Sequence, residues 1–228
     1  RSKSGKTTID RMGEATDSDK PFIASVRELM AGFHSPFVPG LPRFTGGAVG
    51  YLAYDAAAWF EPVKLQATDS VDEEAGFMLF DTVLAFDHVR HRILIIANAR
   101  ITGDEDLESL YQFACTKIEF VERELERTLS KAPRTDCAAL DVTSNVTREQ
   151  FEQMVRTAKE YIAAGDIYQV VLSQRFEAAI DADPFTVYRA LRHVNPSPYM
   201  YFLRVGGRSI VGSSPEMLVR VEGRQVQT

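Results

Sequence analysis

Between Asp104 and Ser130 the apolar residues Leu107, Leu110, Ala114, Ile118, Val121, Leu125 and Leu129 recur three or four positions apart, and most positions between them are charged. That spacing puts an apolar stripe on one face of a long helix. Such a helix draws its stability from burying the stripe rather than from intrinsic propensity, so the chain must supply a surface for it. Phe77 to Phe86 and Arg92 to Ala97 are apolar runs rich in strand formers, joined by the polar loop Asp87-His88-Val89-Arg90-His91 of a hairpin. His88 and His91 read as residues of a solvated turn rather than as metal ligands. After the helix, 132–145 carries Pro133 and scattered polar residues and reads as a linker. The expected organisation is therefore one domain over 1–131, a linker over 132–145 and a second domain from 146 to 228.

Arg1 to Ile9 reads as a hairpin turning at Ser4-Gly5. Asp17-Ser18-Asp19 precede Pro21 and an apolar pattern from Phe22 to Phe33, which predicts a short helix capped by Asp or Ser and ended at Gly32. Phe44 to Asp55 mixes β-formers with glycines, the mark of a bulge or of close backbone approach. In the second half, Thr147 and Gln150 form a capping-box pattern ahead of a helical stripe that stops at Gly165. A strand is expected over Ile167 to Phe176. A helix opens at Asp183-Pro184 and ends before Asn195-Pro196. A hairpin follows across Gly206-Gly207, and a further strand is expected over Met217 to Val221. The fold class is α+β, with antiparallel β-sheets flanked by helices. The chain opens without Met and stops at what reads as the start of a strand, so an internal piece of a longer protein, incomplete at both ends, is expected.

Composition narrows the function. Twenty-six Lys and Arg against 32 Asp and Glu leave a net charge of −6, which gives no general attraction to nucleic acid or to anionic membrane. Apolar stretches such as Ile93 to Ala97 are too short to span a bilayer. Cys115 and Cys137 show neither metal spacing nor a disulfide framework, and Cys115 reads as a packing residue of the long helix. A soluble, cytoplasmic protein is expected.

Two segments carry candidate chemistry. In Ile167 to Phe176 the polar residues Gln169, Ser173 and Arg175 share one face by period-two alternation, either a water-facing strand surface or the wall of a polar cavity. In Gly212-Ser213-Ser214-Pro215-Glu216 a turn presents a carboxylate, either an ordinary surface residue or a general acid.

Together, Pro42-Arg43-Phe44-Thr45-Gly46-Gly47-Ala48-Val49-Gly50-Tyr51 with Tyr54-Asp55, the segment Ala164 to Phe176, Asn195-Pro196-Ser197-Pro198-Tyr199-Met200 and Gly212-Ser213-Ser214-Pro215-Glu216 resemble the anthranilate synthase component I family of chorismate-utilising lyases, in family order. The resemblance implies conversion of chorismate and ammonia to anthranilate and pyruvate with Mg2+, the ammonia coming from glutamine through an amidotransferase subunit, component II. It gives Glu216 the role of protonating the departing hydroxyl. Gln169 stands where relatives that add water to chorismate carry a lysine base. A glutamine cannot deprotonate water, whereas ammonia is already a nucleophile, so Gln169 points to amination.

Asn195, Pro198, Tyr199 and Met200 match part of the family's tryptophan feedback pocket, which implies tryptophan as inhibitor. The pocket's Leu-Leu-Glu-Ser type strand has no counterpart here, and Gly46 to Gly50 is given a structural role beneath the pocket. No metal ligand is assigned within the chain. The family's Mg2+ ligands and chorismate-holding residues are expected beyond Thr228, so the 228 residues alone are expected to be inactive. The competing readings are aminodeoxychorismate synthase component I of folate synthesis and a non-catalytic effector-binding module.

Overall fold

Ser4 and Gly5 both take left-handed backbone, φ 50° and 72°, which is what a two-residue hairpin turn requires. They join β1 (Ser2–Lys3) to β2 (Lys6–Arg11), with Lys3 facing Lys6. The structure, a computed structural model, describes residues 1–11, 13–63, 73–128 and 140–228. Strand β3 (Glu14–Ser18) pairs with β2 and extends the expected hairpin into a meander.

Helix α1 (Phe22–Ala31) begins as expected, but Pro21 is its N-cap and no side chain caps it. The Ser18 hydroxyl is engaged locally instead. It accepts from the Lys20 amide at 3.2 Å and lies 3.0 Å from the Ser25 hydroxyl.

Strand β4 (Gly47–Leu52) leads into a short 3-10 helix at Tyr54–Trp59, and then come β5 (Ala75–Phe80), β6 (Thr82–Asp87) and β7 (Arg92–Ala97). The run Phe77 to Phe86, expected as one strand, is two. β5 joins a five-stranded sheet of order β3-β2-β1-β5-β4, while β6 and β7 form a two-stranded sheet among the described residues. Asn98 holds the break at Asp81. Its amide and its Nδ2 both donate to the Asp81 carbonyl, at 2.8 and 3.0 Å, and Nδ2 also reaches the Thr45 carbonyl at 2.7 Å.

Gly50 faces Phe77 across the β4–β5 ladder, and a Cβ on it would overlap the Gly76 carbonyl and the Phe77 Cα. The glycines thus serve close backbone approach. Beside this ladder Phe22 packs on Trp59 and Phe77 with ring centroids 5.8 and 5.7 Å apart, and Ala56 and Ala75 are buried.

Helix α2 (Leu107–Glu126) carries the expected stripe from Leu107 to Leu125, ends before Leu129, which lies outside the described residues, and packs on β7. Asp106 caps it, accepting from the amides of Glu108 and Ser109. Lys117 Nζ lies 2.6 Å from Asp81 Oδ2 and ties the helix to the turn before β6. That hydrogen-bonded ammonium is the chief reason the Asp81 carboxyl titrates below its ordinary range. A carboxylate with a lowered folded-state pKa stabilises fully above its unfolded value, about 4, and the contribution fades as pH falls through the lowered one. Lys117→Met should therefore flatten the loss of urea resistance below pH about 4, with a small effect at pH 7 because the Asp81 carboxylate is exposed. A mutant whose acid limb matches the wild type would contradict this. Cys115 is half-buried and free; Cys137 lies outside the described residues.

Two compact units emerge, Arg1–Ser130 with Leu203–Ile210, and Lys131–Phe202 with Val211–Thr228. Residues 132–139 of the linker reading lie outside the described residues, and β8 (Val142–Ser144) falls within its remainder. Helix α3 (Arg148–Ala164) follows with the expected capping box. Gln150 N donates to Thr147 Oγ1 at 3.2 Å, Thr147 N donates to Gln150 Oε1 at 2.8 Å, and Gly165 closes the helix at φ 83°. Thr147→Ala should cost about 1 kcal/mol, measured as a lowered urea midpoint, with no change in midpoint as the opposing outcome.

The strand expected over Ile167 to Phe176 does not form. Only β9 (Phe176–Ala178) is a strand, paired with β8. One residue on, the Asn145 amide donates to the Arg175 carbonyl at 3.0 Å and the Asn145 side-chain Oδ1 accepts from the Arg175 amide at 2.8 Å. Before it, β-prone sequence finds no ladder among the described residues, and Tyr168 and Val171 are 94% and 83% exposed.

Helix α4 (Pro184–Val194) is capped by Asp183, whose carboxylate accepts from Phe185 N at 2.8 Å. β10 (Tyr199–Val205) and β11 (Arg208–Ser214) form the expected hairpin. The strand expected over Met217 to Val221 starts later, as β12 (Arg220–Glu222), and folds back on β13 (Gln225–Gln227). All seven ladders of known register are antiparallel. Among the described residues no helix is long and apolar enough to cross a membrane.

Candidate functional site

Pro184 at the first turn and Asp183 at the cap start α4, and the two prolines after Asn195 stop it. The helix's Phe185 and Tyr188 pack against Phe202 of β10, with centroids 5.4 to 5.9 Å apart. This fixes the α4–β10 connection at both ends. The Asn195 amide donates to the Leu191 carbonyl at 2.8 Å, so the loop leaves the helix from a defined point.

That loop is hydrogen-bonded to the end of β11. Ser213 Oγ donates to the Asn195 carbonyl at 2.6 Å, and Ser197 Oγ donates to the Ser214 carbonyl at 2.7 Å. Ser214 Oγ in turn donates to the Glu216 carbonyl at 2.8 Å. The Tyr201 ring lies over Gly212 so closely that any Cβ there would overlap it. Glycine at 212 thus leaves room for the Tyr201 ring of the facing strand, and the two serine bonds hold the Gly-Ser-Ser-Pro-Glu turn against the Asn-Pro-Ser-Pro loop.

Of the residues singled out from sequence, the fold therefore unites Asn195 and the backbone of Glu216 in one hydrogen-bonded group. Pro198 lies within the loop, Tyr199 opens β10, and Met200 is the half-buried next residue. Glu216 presents an exposed carboxylate. Gln169 is exposed in the extended segment after α3, and among the described residues no hydrogen bond joins it to Glu216 or to the Asn195 loop.

The hydroxyls of Ser197, Ser213 and Ser214 were not marked out by residue type. For Ser197 and Ser214 the signal was the Ser-Pro step at Ser197-Pro198 and at Ser214-Pro215, where proline holds the preceding residue extended; Ser213 carries no such mark. His88 and His91 sit in the β6–β7 turn, His91 with φ 52°, beside an open recess of about 420 Å³. Among the described residues no three His, Cys, Asp or Glu side chains converge as a metal site.

The chain is 41% identical to anthranilate synthase component 1 of Acetivibrio thermocellus over 98% of its own length and 47% of that protein. It is 39% identical to the protein of the same name from Streptomyces coelicolor, over 90% of the chain and 42% of the relative. The crystal structure of anthranilate synthase component I from Streptococcus pneumoniae superposes with a TM-score of 0.70 at 31% identity, covering 95% of this chain and 49% of that one. The chain thus spans about half the length of the relatives it matches. The sequence profile described as chorismate binding enzyme matches residues 4–228, and the chain belongs to that family.

Proposed function

We propose that the protein carrying this sequence is the large component of anthranilate synthase, converting chorismate and ammonia to anthranilate and pyruvate on the way to tryptophan. The observation that carries the reading is the similarity to anthranilate synthase component 1 along 98% of the chain. In the reaction a nitrogen–carbon bond forms on the ring as the C4 carbon–oxygen bond breaks. The departing hydroxyl needs a proton, and Glu216 supplies it. Pyruvate then leaves from the enolpyruvyl group and the ring becomes aromatic.

Gln169 has an amide where hydration would need a base. It offers hydrogen bonds without removing a proton, which suits ammonia and disfavours water as nucleophile. Ammonia is supplied by a glutamine amidotransferase component. Tryptophan inhibits by occupying the loop that contains Asn195, Pro198, Tyr199 and Met200. The protein works in the cytoplasm.

The reaction class calls for Mg2+, but the described residues gather no metal-ligating cluster and do not fit that role. No step above runs through it, and the 228 residues alone are expected to be inactive; anthranilate fluorescence from them would contradict this. The full-length protein is tested with chorismate, Mg2+ and ammonium. Fluorescent anthranilate is expected with ammonium alone, and with glutamine only after the amidotransferase is added. A full-length protein that gives no anthranilate from ammonium would overturn the reading.

A further inference from the structure

We propose that Ser197 and Ser213 are positioning residues for Glu216, acting on it through the backbone of Ser214. The inference rests on the reading of Glu216 as the proton donor. Each serine bridges segments far apart in sequence, Ser197 to Ser214 and Ser213 to Asn195. At 2.7 and 2.6 Å both bonds lie well within the hydroxyl–oxygen hydrogen-bond range. One donor sits on each segment and its acceptor on the other, so the pair fixes the relative rotation of the two backbones as well as their separation. A single bond would leave a hinge.

Ser214 carries the restraint onward. Its carbonyl accepts from Ser197 while its hydroxyl donates to the Glu216 carbonyl at 2.8 Å. Pro198 and Pro215 follow the two inner serines and restrict their backbones, so neither hydroxyl has to be ordered from a freely rotating chain. The far end of the clamp is anchored as well, because the Asn195 amide is bonded to the last turn of α4.

The Glu216 carboxylate needs such support. It is exposed, and residues 215–219 lie outside any strand. A general acid works only within hydrogen-bond reach of the atom it protonates, and a misplacement of about 1 Å can cost up to about 100-fold in rate. The clamp makes the Asn195–Ser197 loop and the Glu216 turn move as one body, so whatever displaces that loop displaces the acid.

The test uses the full-length protein in the ammonium-dependent reaction. Ser197→Ala and Ser213→Ala are each expected to lower kcat about tenfold, and together about 100-fold, with the KM for chorismate and the thermal midpoint nearly unchanged. Ser197→Thr and Ser213→Thr keep the hydroxyl and are expected to restore most of the rate. In a Glu216→Gln background the alanine substitutions should cost less than about twofold more, since the group they position is already gone. A further tenfold fall in that background would show the serines acting elsewhere, and alanine variants with wild-type kcat would overturn the inference alone. Should Glu216→Gln itself leave kcat intact, the proton-donor reading falls and takes this inference with it.

Discussion

Glu216→Gln is expected to lower kcat for anthranilate formation by about 1,000-fold, the middle to upper range for loss of a general acid. The amide keeps the shape and hydrogen-bonding capacity of the carboxyl but has no proton of suitable acidity for a departing hydroxyl. Glu216 is exposed, and its tie to the rest of the chain is through its backbone carbonyl, which the substitution leaves in place. Folding and chorismate affinity should therefore change little, so the loss falls on kcat rather than on KM. A variant that retains more than a tenth of the wild-type kcat would remove Glu216 from the chemistry.

Gly50→Ala should have the largest effect on stability, about 3 kcal/mol or more, because the added methyl meets backbone rather than a side chain that can turn away. The Gly76 carbonyl and the Phe77 Cα it would overlap belong to β5, the strand joining β4 to the rest of the five-stranded sheet. Relief requires β4 and β5 to separate, with loss of their ladder. Gly207→Ala is the control, since a Cβ there meets nothing within 4 Å, and it should stay within about 0.5 kcal/mol of wild type. Urea unfolding of both variants checks the contrast, and equal midpoints would contradict it.

What could be read from sequence was what is decided locally. The Ser4-Gly5 turn, the Thr147–Gln150 box, the Asp183-Pro184 start and the stripe of α2 are each specified within a few residues, and each is in the fold. Strand identity was less legible, because a strand exists only when a distant segment completes its hydrogen bonds. Ile167 to Phe176 has strand composition yet pairs only at its end, whereas Val142–Ser144, read as linker, becomes a strand because β9 faces it. The Phe77 to Phe86 run was divided by Asn98, a residue outside both strands.

The same distinction holds at the candidate site. Glu216 and Asn195 stood out through their motifs, but the bonds that bring their segments together connect residues 17 and 18 positions apart. No local pattern records such a pairing. Only the antiparallel return of β11 along β10, with glycine at 212 beneath Tyr201, places the serines opposite their carbonyls.

The most direct test of the central claim is the fate of the nitrogen. Full-length protein is incubated with chorismate, Mg2+ and isotopically labelled ammonium, and the product is identified by mass spectrometry. Labelled anthranilate with an equal yield of pyruvate is the expected result. Labelled aminodeoxychorismate without pyruvate, or an unlabelled hydroxylated product, would contradict it.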